Sequence, residues 1–184
     1  MKASLQRLAE RADAEGLLDV AYANVDSPFG PLLVAATPQG LVRVNLPAYD
    51  PEQTLEELAA RISPRVLEAP ARLDDARREL DLYFEGKLTE FDLPLDWRLT
   101  DGFRKKVQRA IARIPYGKTR SYTEIARSAG NERAVRAAGT ACGSNPLPIV
   151  VPCHRVLRSG GALGGYGGGL PAKRTLLELE GVLA

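Results

Sequence analysis

The chain has 184 residues, 45% of them hydrophobic and 26% charged, with 25 Lys+Arg against 23 Asp+Glu. That is enough apolar material for one sizeable core or two small ones, and it excludes a disordered or fibrous chain. No apolar run approaches the roughly 18 residues of a membrane span, and two cysteines are too few for a disulfide framework, so no membrane segment and a reducing cytoplasm are expected.

In chain order, residues 1–16 read as a helical extension. Charges run through it without an apolar core, which is unlike a secretory leader, and Leu5, Leu8, Ala9 and Ala12 fall on one helical face. The segments LDVAYANV, GPLLVAAT and GLVRVNL read as strands separated by the turns DSPFG and TPQG. PEQTLEELAARIS is a helix opened by Pro51, and LDDARRELDLYFEG is another, stopped by Gly86. FDLPLDW leads out as an extended segment whose Pro94 suits a sheet edge or linker. Residues 17–98 thus form a small α/β domain.

Residues 99–184 read as mainly helical. Phe103, Val107, Ala110, Ile111 and Ile114 make one apolar face, closed by Pro115. SYTEIARSAG opens with a capping box, Ser121 with Glu124 three residues on, and Gly130 can end it. Asn131 can then cap ERAVRAAGTACGSN, so two short helices joined by about two residues form a helix-turn-helix. On a wheel Ala134, Val135, Ala138 and Cys142 share one face, and Arg133, Arg136, Ala137 and Thr140 the other. The second face combines cations with small side chains, which permits close approach to an anionic partner.

Charge divides the chain at the same place. Residues 1–101 carry 11 Lys+Arg against 19 Asp+Glu, a balance of −8, while residues 102–184 carry 14 against 4, a balance of +10. A charge run is usually a solvated face, but +10 on 83 residues suits a polyanion, nucleic acid being the commonest.

The single histidine stands beside a cysteine in LPIVVPCHRVLRSGG. Cys142 reads as a buried apolar residue, whereas Cys153 ends a run expected to be a buried strand, after Pro152. A thiol acts as a nucleophile through its thiolate, which needs a base or positive surroundings. His154 can be that base, and Arg155 and Arg158 make the surroundings positive. Neighbours in an extended segment point apart, so the proton path is expected to use a water or a local turn. A carboxylate normally orients such a base, and this half offers Glu124, Glu132, Glu178 and Glu180. The first two look like helix-start partners. A structural zinc site fails for want of Cys and His, and the glycines of SGGALGGYGGGLPAKR match no phosphate-loop pattern. A cysteine hydrolase is remote.

IPYGKTRSYTEIA, then RAAG leading into NPLPIVVPCHRV, then SGGALGGYGGGLPAKRTLLELEG, resemble the O6-alkylguanine-DNA alkyltransferase family, the methylated-DNA–protein-cysteine methyltransferases, from about Phe103 to Gly181. DSPFGPLLVAAT and LYFEGKLTEFDLPLD resemble that family's ribonuclease-H-like N-terminal domain. The resemblance implies an α+β protein with an extension (1–16), a ribonuclease-H-like domain (17–98) and a DNA-binding and active-site domain (99–184).

It also implies the chemistry. A member binds duplex DNA through the minor groove, flips out an O6-alkylguanine and moves the alkyl group irreversibly to a cysteine, once per molecule. By position Cys153 is the acceptor, His154 deprotonates it through a water, and Glu180 holds His154. Asn145 is the hinge between recognition helix and active-site strand. Arg136 is the finger that fills the space of the extruded base, with Ala137, Thr140 and the extra cation Arg133 beside it. Tyr122 crowds the target phosphate and hydrogen-bonds the guanine. Val156, Tyr166, Gly167 and Lys173 form the pocket; some members have serine at the Gly167 position. No cofactor or metal is implied, the expected state is a monomer, and cooperativity on DNA stays open. The alternative is a non-catalytic module that recognises alkylguanine and signals to other repair systems.

Overall fold

The computed structural model describes residues 2–184, apart from the side chains of residues 2–6 and Glu10. Helix α1 (Lys2–Ala14) buries Ala9 and half-buries Ala12. Leu8, expected on the same face, is 53% exposed, and the Leu5 side chain lies outside the described residues.

β1 (Val20–Val25), β2 (Leu32–Thr37) and β3 (Gly40–Asn45) form an antiparallel meander at the two expected turns. β4 (Val66–Glu68) adds to β1 in parallel, giving the order β3-β2-β1-β4. The sequence does not announce β4, because three residues between Pro64 and Pro70 carry no readable alternation. Both faces of the sheet are covered, so its strands are apolar at nearly every position. On one face Val20, Leu33, Ala35 and Val42 pack with Leu58 of α2 (Pro51–Arg61), whose first turn is capped by the Asp50 side chain, 2.9 Å from Glu52 N. On the other, Ala21, Ala23, Leu32, Val34 and Val44 join Leu80 and Tyr83 of α3 (Asp74–Phe84). Gly86 follows α3 at φ +70° as the expected stop.

That second face has no boundary with the rest of the chain: its core continues through Val107, Ile111, Leu147 and Leu176. The outer edge of β3 is also occupied. Leu41 N donates to Pro94 O and Asp96 N to Leu41 O, both at 2.8 Å, which puts FDLPLDW at the edge that Pro94 requires. Further along, Val44 N donates to Pro146 O at 2.8 Å, so the sheet edge grips the segment that leads to Cys153.

The second half contains α4 (Gly102–Ile111), α5 (Tyr122–Ser128), α6 (Val135–Gly143) and α7 (Gly169–Leu179). Phe103 and Ala110 are half-buried and Val107 and Ile111 buried; Ile114 is buried too but lies beyond the helix end. The Ser121–Glu124 capping box forms as expected. The start of α6 does not: Asn131 accepts from Arg133 N at 3.2 Å and from Ala134 N at 3.0 Å, closing a turn, so the helix begins at Val135. The connection is therefore six residues rather than about two, and Arg133 sits in it. Ala138, Ala141 and Cys142 face inward, while Arg136, Ala137 and Thr140 are exposed.

The run before Cys153 is not a strand. Pro146, Pro148 and Pro152 remove three backbone donors in seven residues, so no ladder can form. The chain turns instead, with Val151 N on Leu147 O at 2.8 Å and Ile149 at φ +75°, a rare conformation for a β-branched residue. Cys153–Arg155 is a single 3₁₀ turn. It leads into β6 (Val156–Leu157), which pairs in parallel with β5 (Arg120–Ser121) and so sets the start of α5 beside the cysteine. No helix among the described residues is long and apolar enough to cross a membrane.

Candidate active site

Cys153 and His154 are consecutive on the 3₁₀ turn, whose three residues per turn send their side chains roughly 120° apart. Both are buried. The local turn replaces the extended geometry, but the two groups still face different neighbours. His154 Nε2 lies 2.9 Å from Glu180 Oε1 at the end of α7. An ionised carboxylate can only accept, so Nε2 carries the ring proton and Nδ1 presents a lone pair. Nδ1 is buried and has no hydrogen-bond partner among the described residues. Burial holds His154 below its ordinary value of 6.5, against the pull of Glu180, so the ring is neutral at pH 7. A neutral imidazole with one fixed proton and one free lone pair is a general base.

Glu180 is held by more than the histidine. Arg155 Nε reaches its Oε2 and Arg155 Nη2 its Oε1, both at 2.8 Å, and the Tyr83 hydroxyl donates to Oε1 at 2.7 Å. Burial alone would raise this carboxyl, but the bonds from His154 and Arg155, with Tyr83 adding to them, lower it to about 2. Arg155 therefore does not lend its charge to the thiol as the sequence suggested; it is spent on Glu180 and on Ile114 O at 2.5 Å. The other candidate acids sit elsewhere: Glu124 caps α5, Glu132 pairs with Arg127, and Glu178 is on the exposed side of α7 with Arg174 at 3.8 Å.

Burial pushes the Cys153 thiol up, while the Asn145 amide, the Lys173 ammonium and the backbone N–H groups of residues 153 and 154 pull it down. The balance is upward, so at rest Cys153 is a thiol and must lose its proton as it reacts. Asn145 clips the turn that carries it: Nδ2 donates to Val151 O at 2.8 Å, and Oδ1 accepts from Leu147 N at 3.0 Å. Lys173 is fully buried and donates to Val156 O at 2.7 Å and to Leu163 O, tying β6 to the glycine-rich loop.

That loop carries Tyr166 and Gly167. The Tyr166 ring meets His154 edge-on at 6.4 Å, and its hydroxyl is buried without a protein partner among the described residues. Tyr122, first residue of α5, packs between Gly139 of α6 and Gly164, where a Cβ would lie 3.1 Å from its hydroxyl. Gly167 is explained by a residue the sequence did not single out: a Cβ there would overlap the Tyr49 hydroxyl and lie 3.3 Å from Tyr49 Cζ. Tyr49 belongs to the first half, which thus packs against the loop.

Two cavities meet at Cys153. One of about 350 Å³ is lined by Tyr122, Gly139, Cys142, Cys153, Gly165 and Tyr166, between α6 and the loop. The other, of about 260 Å³, shares Cys142, Cys153 and Tyr166 but extends toward β3 and α2. Val156 lines neither; it is buried beneath the turn, with its carbonyl on Lys173. Arg136, Ala137 and Thr140 lie outside both cavities, on the exposed face of α6, with Arg133 just ahead of it. Tyr83, Tyr49 and the lock on Glu180 escaped the sequence reading, because each joins residues tens of positions apart with no motif between them.

The DNA-binding domain model of 6-O-methylguanine DNA methyltransferase matches residues 102–182, and that family's ribonuclease-like domain model matches residues 20–97. The methylated-DNA–protein-cysteine methyltransferases of Mycobacterium bovis and Mycobacterium tuberculosis are each 48% identical over 159 residues, covering 86% of this chain and 91% of theirs. A crystal structure of Mycobacterium tuberculosis OGT in complex with DNA superposes with a TM-score of 0.75 at 42% identity, covering 88% of this chain and 93% of that one. With both halves matched in order and the PCHRV segment set as described, the chain belongs to the 6-O-methylguanine DNA methyltransferase family.

Proposed function

We propose that this protein is a single-turnover DNA-repair alkyltransferase that moves the alkyl group of an O6-alkylguanine in duplex DNA to its own Cys153. The observation that carries this reading is the His154–Glu180 bond, which leaves Nδ1 of a neutral ring unpartnered on the same 3₁₀ turn that carries the Cys153 thiol. In the reaction the Cys153 proton passes through a water to His154 Nδ1, and Glu180 stabilises the imidazolium that results. Sγ bonds to the alkyl carbon as the C–O6 bond breaks, and the departing pair is neutralised by protonation of the guanine. The product thioether is stable, so each molecule acts once.

Duplex DNA is proposed to lie with its minor groove against α6. Ala137 and Thr140 permit close approach there, and Arg136 occupies the gap left by the target base. Arg133 adds affinity without sequence preference. Flipping costs a few kcal/mol, and least for damaged pairs. The cavity between Tyr122 and Tyr166 takes the base, with Gly167 offering its N–H, Lys173 bracing the loop from outside the cavity through the Val156 carbonyl, and Asn145 supporting the turn that carries the thiol. The protein is read as a monomer without cofactor in a reducing compartment, in keeping with two free cysteines. Incubation with an O6-methylguanine duplex followed by peptide mass spectrometry tests the reading: a methyl-sized increase on the peptide holding Cys153 supports it. Binding without any adduct would instead make the protein a recognition module.

A further inference from the structure

The 260 Å³ cavity that Cys153 lines also has charged lining residues that methyl transfer does not use. Arg43 of β3 and Arg61 of α2 both pair with Glu57, at 3.1 and 2.7 Å, and Arg61 Nη2 also donates to Leu99 O at 3.1 Å. One carboxylate thus fixes two guanidinium groups and neutralises only one of them. Arg104, in the first turn of α4, lines the same cavity and has no acidic partner among the described residues. Three cations and one anion, with Arg61 and Arg104 on the exposed side, therefore line a space that Cys153 also lines. The wall is assembled from both halves of the chain, and the Glu57 and Leu99 contacts hold Arg43 and Arg61 in place before any ligand arrives.

A small neutral substituent gains nothing from such a wall, and a neutral alkyl chain would have to displace water from guanidinium groups to enter it. An acidic group at the end of a chain would be received by fixed donors. We propose that this cavity is a subsite for an anionic O6 substituent, so that an O6-(carboxyalkyl)guanine is a preferred substrate, its carboxylate seated among Arg43, Arg61 and Arg104. This rests on the alkyl-transfer reading above and adds the substrate class. The thiolate bonds to the substituent's first carbon, the C–O6 bond breaks, and the pair leaves with O6 and is protonated on the guanine. The carboxylate takes no part in bond making and stays at the distal end of the new thioether. At about 260 Å³ the cavity is larger than a one-carbon substituent, so the preference should grow with the length of the chain.

The test is a set of duplexes of one sequence, at one salt concentration, carrying O6-methyl-, O6-butyl-, O6-carboxymethyl- or O6-(3-carboxypropyl)guanine, with adduct formation on Cys153 timed by mass spectrometry. Carboxypropyl should transfer faster than butyl by roughly two- to fivefold, the range of a partly screened ion pair. In Arg104→Ala and Arg104→Glu that ratio should fall to one or below, with the methyl rate on the same preparation correcting for folded fraction. Methyl transfer with butyl and carboxypropyl equal in the parent protein overturns the subsite and leaves the alkyltransferase standing. Equal loss on all four substrates in the Arg104 variants also overturns it, and assigns that arginine to the DNA backbone. No transfer from any substrate overturns both.

Discussion

Tyr83 donates its hydroxyl hydrogen to Glu180 Oε1 at 2.7 Å across 97 residues of sequence, and the same oxygen receives His154 Nε2. The N-terminal half therefore supplies one of the groups that hold the proposed catalytic base. Glu180 is tied at once to α3, to the turn after Cys153 and to the end of α7. Tyr83→Phe removes one donor from a buried charge, and such a loss costs about 1–3 kcal/mol. Denaturant titration should show that destabilisation, and the alkyl-transfer rate should fall with it. A rate unchanged in a destabilised variant would mean that Tyr83 serves only the fold.

Acid should destabilise this protein over two pH windows. The folded Glu180 carboxyl lies at about 2, below the unfolded value near 4.3, so its contribution is complete above that value and is lost as pH falls toward 2. The shift corresponds to about 3 kcal/mol. His154 is also depressed, so the unfolded chain takes up its proton first once pH drops below about 6.5, and stability declines there in the same direction. Urea midpoints at pH 7.5, 5.5 and 4 should fall in that order. Glu180→Gln should be less stable at neutral pH and should flatten the acid limb.

The two cysteines should separate cleanly. Burial pushes Cys142 up to about 12, and it has no base of its own. Cys153→Ser should abolish transfer while duplex binding stays near normal, since a hydroxyl is close in size but a poor nucleophile at neutral pH. Cys142→Ser should still transfer at a near-normal rate. An adduct found on Cys142 would reverse the assignment.

Gly167 should not tolerate a side chain while Tyr49 stays in place. Gly167→Ala forces the loop or the Tyr49 ring to move, since the added carbon meets the phenol head-on. Tyr49 is 44% exposed and the atom in the way is the far end of its side chain, so the ring can give, at a cost of about 0.5–1.5 kcal/mol. Tyr49→Ala in the same chain should recover part of the lost stability and transfer, a coupling that a double-mutant cycle reads directly. Additive losses would show that the two residues do not constrain each other.

The exposed face of α6 should matter only for DNA. Arg136→Ala should slow repair of duplex substrate by tenfold or more, on the order of a few kcal/mol of flipping free energy, yet leave reaction with free O6-benzylguanine nearly unchanged. Arg133→Ala should weaken binding to every duplex and lower the log–log salt slope by roughly one unit. A flat salt response would remove the basic face as the DNA surface.

Local patterns were enough for most of the elements. The alternation in β1–β3, Asp50 and Pro51 before α2, and the Ser121–Glu124 box act over a few residues, where propensity and capping decide. The Cys153–His154 pair and the polarity of α6 were legible for the same reason, and PCHRV was specific enough to point to a family. The apolar run among Pro146, Pro148 and Pro152 suggests a strand that the structure does not form, because hydrophobicity signals burial but not a ladder that missing donors forbid. The sequence suggests a helix from Asn131, but α6 begins only at Val135, since Asn131 closes a turn as readily as it caps a helix. The residues alone leave four acids open and the family resemblance points to Glu180; only the tertiary structure diverts Arg155 from the thiol to that carboxylate and brings Tyr83 and Tyr49 to the site. Those choices depend on which distant surfaces are buried against each other, and burial is what turns a neutral histidine, a charged glutamate and a shared cavity into a working arrangement.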